Sequence, residues 1–248
     1  MSDSTREDKF FADDMKVEDF VFDKKVATVF DDMVSRSVPL YADSQRMELQ
    51  LATEFVQPGS NVYDIGCSTG TLLSAFSELM GEQDANLIGI DNSAPMLDEA
   101  RKKIEERGQQ DRISFVQADA EKDMGMENAS VVFMNYTLQF VRPLYRESVV
   151  KQIYNSLNDH GCFLFIEKVL GNDSLFNRLY IELYYEYKRT VGYSDKEIRQ
   201  KREALENVLI PYRLDENIEL LERCGFGSID VFYKWYNWAG FIAVKTPV

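Results

Sequence analysis

The feature that most constrains the fold of this chain is an alternation. Between Asn61 and Leu170, short apolar runs ("NVYDI", "NLIGID", "ISFVQAD", "ASVVFMNYTLQF" and "CFLFIEKVL") are separated mostly by helix-patterned segments. Alternating strands and helices imply a parallel, doubly wound sheet with right-handed crossovers. The pattern predicts a helix from about Thr71 to Met80. A second opens at Ser93 as its cap, carries Pro95 in its first turn and closes at Gly108. A third, in "LYRESVVKQIYNSLNDHG", ends at a His-Gly turn.

The order changes after the fifth run. "SLFNRLYIELYYEYKRTVGYSDKEIRQKREALENVLIP" reads as helical with no strand, a helical insertion over about 173–209. "LDENIELLERCGF" returns a helix. "GSIDVFYKWYNW" and "AGFIAVK" then form two strands joined by so short a turn that the second must run antiparallel to the first. Upstream, Val26, Phe30 and Met33 have helical spacing that breaks near Pro39, and "ADSQRMELQLATEFV" reads as another helix, giving a helical segment over about 18–56. No internal repeat is visible. Residues 1–248 read as a single α/β domain.

Composition narrows the function classes. The net charge of −14 repels phosphate backbones, so direct contact with nucleic acid or an anionic membrane is not expected. The best basic cluster, "EIRQKREALE", is flanked by acids. No run approaches a membrane span, and the acidic start "MSDSTREDKFFADD" resembles neither a secretory signal nor a transit peptide. Cys67, Cys162 and Cys224 have no paired spacing, which fits a reducing cytoplasm and gives no zinc knuckle. The single histidine, His160, lies in a turn and reads as structural; no metal site is expected.

Ligands of such sheets bind at the carboxyl ends of the strands, near the switch in strand order. After the first strand stand Asp64, Gly66, Cys67, Ser68 and Gly70, a loop that lets backbone approach a ligand and feeds a helix N-terminus suited to a carboxylate. After the second stand Asp91 and Asn92, an acid able to accept both ribose hydroxyls. After the third stand Asp119 and Ala120, where a carboxylate can accept an adenine N–H, and after the fourth Asn135. The dinucleotide pattern G-x-G-x-x-G fails here, because Ser68 and Thr71 occupy its later glycine places. Asp64 is awkward beside a pyrophosphate and useful near an amino group, so S-adenosylmethionine fits better. Taken singly, the glycines could make only a tight turn, Asp119 a helix cap and Asn135 a loop bond.

The whole arrangement resembles the Rossmann-type methyltransferase fold: a mostly parallel seven-stranded sheet with an antiparallel last strand and a helical insertion after strand 5. More specific pieces resemble the carboxy-S-adenosyl-L-methionine synthase family, from about Phe22 through Lys245. These are "RSVPLY", "VYDIGCS", "IDNS", "NYTLQFV", Glu167-Lys168, "KRTVGYS" and "QKREALENV". The resemblance implies an enzyme that combines S-adenosyl-L-methionine, as a substrate, with prephenate. Phenylpyruvate leaves, and a sulfonium ylide traps the released carbon dioxide to give carboxy-S-adenosyl-L-methionine. It also implies a homodimer in the cytoplasm and a separate downstream enzyme that carries the product to the wobble uridine of tRNA. Tyr41, Asp64, Gly66, Cys67, Ser68, Asp91, Asn92, Asp119, Ala120 and Asn135 would hold the nucleoside and methionine. Arg202 would grip the new carboxylate in bidentate fashion as the catalytic residue.

Spacing alone reads Arg202 as a helix-surface partner of Glu206. Tyr41 reads equally as a core aromatic, and the tyrosines of "LYIELYYEYKR" read as packing. An ordinary small-molecule methyltransferase and a non-catalytic S-adenosylmethionine-binding module are the alternatives. Ser68 replaces the second glycine of the usual methyltransferase loop.

Overall fold

The computed structural model describes residues 22–247. The acidic start and the first residues of the expected 18–56 helical segment lie outside the described residues. Helices α1 (Lys24–Ala27), α2 (Phe30–Ser37) and α3 (Tyr41–Thr53) precede β1 (Ser60–Ile65), α4 (Thr71–Met80), β2 (Ala85–Asp91), α5 (Ala94–Glu106), β3 (Ile113–Gln117) and β4 (Ala129–Phe133). There follow α6 (Pro143–Ser156), β5 (Leu157–Leu170), α7 (Ser174–Thr190), α8 (Asp195–Leu205), β6 (Tyr212–Arg213), α9 (Leu214–Arg223), β7 (Ser228–Trp235) and β8 (Trp238–Val244).

The main sheet runs β3-β2-β1-β4-β5-β8-β7. Strands β1 to β5 pair in parallel, and β8 lies antiparallel between β5 and β7. An eighth, two-residue strand, β6, pairs in parallel with the end of β5. The order reverses between β1 and β4, which opens a crevice at their carboxyl ends.

Two cores cover the two faces of the sheet, which is why its central strands are apolar throughout rather than alternating. Tyr63, Val132, Phe163 and Phe165 pack with Val149 and Ile153 of α6 and Leu221 of α9. Their neighbours Val62, Val131, Phe133 and Leu164 face the other way, onto Leu49 of α3 and Leu73 and Phe76 of α4. Phe165 stacks on Phe241 of β8 with ring centroids 4.7 Å apart. Truncating a buried Phe to Ala typically costs about 3–5 kcal/mol, so this stack anchors the reversed strand.

Side-chain caps open α1, α5, α7 and α8. Ser93 accepts from the Met96 N–H and opens α5 ahead of Pro95, and Gly108 follows the helix at φ +66°. The structure departs from the sequence reading in three places. The expected N-terminal helix is broken at Thr28 and Val29, where β-branched residues weaken helix propagation; Asp23 caps the short α1 by accepting from the Lys25 and Val26 N–H groups. The helical insertion is likewise two helices. Gly192, at φ +95°, follows α7, and Ser194 and Glu197 form a reciprocal capping box that starts α8. The His-Gly turn keeps its bend, with His160 at φ +63°, yet its N–H pairs with the Lys245 carbonyl at 2.8 Å, so the turn is continuous with β5.

Among the described residues no helix is long and apolar enough to cross a membrane. No group of three or more His, Cys, Asp or Glu side chains is placed to hold a metal ion among them.

Candidate active site

A cavity of about 730 Å³ opens at the carboxyl ends of β1, β2, β4 and β5, roofed by α2 and by the insertion helices α7 and α8. Of the residues named from the sequence, Tyr41, Asp64, Gly66, Cys67, Ser68, Asp91, Asn92, Asp119, Ala120, Asn135 and Arg202 line it, and Gly70 does not. They come from six separate stretches of chain; the strand order gathers those at strand ends, and α3 and α8 bring Tyr41 and Arg202.

The loop after β1 takes its shape from three positive-φ residues. Gly66 sits at φ +74°, and a Cβ there would lie 2.1 Å from Thr137 Oγ1. Gly70, at φ +71°, caps α4. Ser68 adopts φ +49°, the left-handed region that glycine tolerates and other residues enter at a cost of about 1–2 kcal/mol. Asp91 holds this strained loop in place. Its Oδ2 accepts from the Ser68 N–H at 2.9 Å, and its Oδ1 accepts from the Ser93 N–H at 2.8 Å. Each oxygen keeps a free lone pair, the capacity needed for a pair of vicinal hydroxyls. Burial raises the Asp91 carboxyl above its ordinary range, and these backbone donors work against that shift.

Asp64 is the penultimate residue of β1 and is 3% exposed. Its carboxyl has no hydrogen-bond or ion-pair partner among the described residues. Burial, followed by the charge of Asp91, pushes its pKa up to about 8. A buried, unpaired acid at a cavity wall is costly when ionised and is relieved by a cation. The ammonium or sulfonium of S-adenosylmethionine would meet that requirement. Cys67 is buried beside Gly89, where a Cβ would come within 2.7 Å of its sulfur. Burial pushes its thiol well up, with Asp64 and Asp91 adding to the shift, so it packs as a thiol and is no nucleophile.

Asn135 is gripped at both ends. Its Nδ2 donates to Glu48 at 2.6 Å, and its Oδ1 accepts from the Ile166 N–H at 2.7 Å. One Nδ2 hydrogen remains for a ligand. Asp119 forms no helix cap; its Oδ1 accepts from the Glu121 N–H in a local turn, and Lys122 stands 3.7 Å from Oδ2. Tyr41 combines its two readings: its hydroxyl accepts from Gln45 at 2.9 Å, its ring packs near Tyr136, and it still lines the cavity. Arg202 and Glu206 both line the cavity, and they form no ion pair. The helix-surface pair suggested by their i,i+4 spacing is therefore absent.

Other residues escaped the sequence reading. Asp31 of α2 accepts from Thr69 at 2.6 Å and Thr71 at 3.1 Å, and Lys103 donates to it at 2.6 Å. Burial alone would raise the Asp31 carboxyl, but the Lys103 charge and these hydrogen bonds hold it below its usual range. A carboxylate of the protein thus already sits at the threonines that open α4, the place expected for a ligand carboxylate. No local pattern links Asp31 to Thr69. Glu48, wholly buried, looked like one more polar residue on a helix. Tyr184 belongs to the Tyr-rich stretch and does pack, donating its hydroxyl to the Ser37 carbonyl at 2.8 Å, but it also lines the cavity.

Comparison with known proteins agrees with this geometry. A methyltransferase domain family matches residues 62–161. The carboxy-S-adenosyl-L-methionine synthase of Methylococcus capsulatus is 50% identical over 229 residues, covering 92% of this chain and 95% of that protein. The protein of the same name from Sulfurimonas denitrificans is 48% identical over 238 residues, covering 96% of this chain and 99% of its own. Among solved structures, an O-methyltransferase family protein from Burkholderia thailandensis superposes with a TM-score of 0.65 at 15% identity, over 91% of this chain and 61% of that one. Human N-acetylserotonin methyltransferase in complex with SAM gives 0.61 at 15% identity, over 90% and 56%. These two establish the fold.

Proposed function

The chain belongs to the carboxy-S-adenosyl-L-methionine synthase family, a group of S-adenosylmethionine-dependent transferases, and from that premise we propose that it converts S-adenosyl-L-methionine and prephenate to carboxy-S-adenosyl-L-methionine and phenylpyruvate. Prephenate loses its ring carboxyl as carbon dioxide and its hydroxyl as hydroxide; the hydroxide removes a methyl proton to form water, and the resulting sulfonium ylide captures the carbon dioxide. The observation that carries this reading is Arg202. It lines the same cavity as the Asp64-to-Gly70 loop and is free of Glu206. A plain methyl donor site needs no such guanidinium.

The chain's own groups have defined tasks. Asp64 compensates the cationic substrate. Asp91 and Asp119 accept from the nucleoside, and Asn135 donates to it. Arg202 binds the carboxylate once it is installed, with a fork that lysine cannot reproduce. The cavity keeps carbon dioxide beside the reacting methyl and away from water, which is a proximity and desolvation task rather than one of acid–base catalysis.

The product would serve a separate cytoplasmic enzyme acting on the wobble uridine of tRNA, a division of labour that suits a surface with net charge −14. We also read the chain as a homodimer. Leu175, Phe176 and Leu179 of α7 are exposed, with Phe176 and Tyr180 stacked beside Tyr236, an apolar face of the kind that pairs subunits.

The test is turnover with both substrates. The wild-type protein should release phenylpyruvate and carboxylated S-adenosylmethionine in equal amounts. Arg202→Ala and Arg202→Lys should fold, bind S-adenosylmethionine and lose carboxylated product at least a hundredfold. Full synthesis by either variant would overturn the role given to Arg202.

A further inference from the structure

The cavity lining carries both signs of charge. Asp31, Asp64, Asp91, Asp119, Glu121 and Glu206 are its acids. Lys168, Lys188, Lys201 and Arg202 are its bases. A bound cation would answer Asp64 and the nucleoside would answer Asp91 and Asp119, while Asp31 is already paired with Lys103 at 2.6 Å. The bases call for an anion, and Arg202 is already assigned to the product carboxylate.

Lys168 is the informative member. It stands near the end of β5, half-buried, with its backbone N–H bonded to Gln139 Oε1 at 3.0 Å. Its ammonium lies 4.9 Å from the centre of the Tyr184 ring. It has no hydrogen-bond or ion-pair partner among the described residues. The acid next to it, Glu167, points to the opposite face of the sheet by strand alternation, where the Arg146 charge acts on it. It therefore cannot neutralise Lys168. Burial lowers the Lys168 pKa to about 8, and the ammonium has the Tyr184 ring beside it but no counter-ion among the described residues. Lys201 differs in donating to Ser37 Oγ at 2.7 Å.

The function proposed above, on which this inference rests, requires two carboxylates to be treated differently. The ring carboxylate must leave as carbon dioxide, and a cation bound to it would stabilise the reactant and slow the loss. The carboxylate of the keto-acid side chain is retained and can be held firmly. We propose that Lys168 binds the retained carboxylate of the keto-acid substrate, with Tyr184 beneath it, and so fixes the substrate with its departing carboxylate toward the sulfonium. The site then selects small aromatic-sized dianions that carry an α-keto acid arm.

The experiment compares Lys168→Met, of similar length, with Lys168→Gln and Lys168→Arg. In both neutral variants the KM for prephenate should rise at least tenfold. Affinity for S-adenosylmethionine by equilibrium dialysis should stay within error of wild type, and the melting temperature should not fall, because a buried ammonium is removed. Arg should restore most of the loss. Phenylpyruvate keeps the side-chain carboxylate and lacks the ring one, so its inhibition constant should weaken by the same factor as the KM. If the wild type turns over while the neutral variants keep both constants, Lys168 is not the anchor and the functional reading survives. If KM rises but phenylpyruvate inhibition does not change, Lys168 contacts the departing carboxylate and the assignment is overturned. A wild-type protein that binds S-adenosylmethionine and consumes no prephenate overturns the functional reading and this inference with it.

Discussion

Asn135 and Glu48 are joined by a 2.6 Å hydrogen bond from the amide Nδ2 to the carboxyl, linking the loop after β4 to helix α3. Glu48 is fully buried, and burial pushes its pKa up to about 8 despite the Asn135 bond. At neutral pH it is chiefly an uncharged acid, which Gln mimics. Glu48→Gln should therefore keep the fold and hold S-adenosylmethionine within about threefold of wild type. Glu48→Ala removes the acceptor and leaves a cavity, and should cost about 2–4 kcal/mol in a urea melt and weaken binding more than tenfold. Unchanged binding in Glu48→Ala would mean that Asn135 does not serve the ligand.

The raised carboxyls give a pH dependence of definite sign. Asp64 and Glu48 titrate at about 8 in the fold and Glu167 at about 7, against roughly 4 when unfolded. Between those limits the native state binds more protons than the unfolded chain, so stability falls as pH rises. The contribution is complete below about pH 4 and is lost through pH 7–8. The melting temperature of the ligand-free protein should drop steadily from pH 5 to 9, and Asp64→Asn should flatten part of that slope. Ligand binding reverses the effect at Asp64, because a cation favours the ionised form. Titration calorimetry at pH 7 in buffers of different ionisation enthalpy should show proton release on binding S-adenosylmethionine, diminished in Asp64→Asn. Proton uptake would contradict the pairing of Asp64 with the cation.

Gly66 and Gly59 form a matched pair of probes. Both have φ near +70°, but a Cβ at Gly59 meets nothing within 4 Å, whereas one at Gly66 runs into Thr137. Gly59→Ala should cost only the backbone term, about 1–2 kcal/mol, and leave ligand affinity alone. Gly66→Ala should cost clearly more in chemical denaturation and abolish measurable binding. Equal costs would show that the Thr137 contact does not shape the loop.

Asp91 ties Ser68 and Ser93 together, so its removal should act on the loop as well as on the ligand. Asp91→Ala leaves two part-buried N–H groups without their carboxylate acceptor, at about 1 kcal/mol each. We expect at least thirtyfold weaker binding by equilibrium dialysis together with faster amide exchange at Ser68. Asp91→Asn keeps one acceptor and should fall between. Lost affinity with unchanged exchange would restrict Asp91 to direct ligand contact.

What the sequence revealed follows from the range of the forces involved. Helix α4 runs from Thr71 to Met80 as its periodicity predicts, and α5 starts at Ser93 because cap, Pro95 and apolar spacing agree within a few residues. The positions after each strand were legible because strand order alone brings strand ends together. Interactions across the fold were not. Asp31 meets Thr69 from 38 residues away, and Glu48 meets Asn135 from 87 away, with no local signature at either end. Lys168 stood out only through the Glu167-Lys168 pair of the family resemblance, with no role attached, since its contact with Tyr184 of α7 exists only in the fold. The break at Gly192 was readable from Ser194 and Glu197 but was outweighed by the long helical pattern around it.

The central claim is that the methyl group of S-adenosylmethionine becomes a carboxymethyl group in this cavity. Mass spectrometry of the small molecule released from freshly purified, denatured protein tests it most directly. The account predicts S-adenosylmethionine enlarged by one carboxyl group. Release of only S-adenosylmethionine or its demethylated product, even after incubation with prephenate, would contradict it and return the site to ordinary methyl transfer or simple binding.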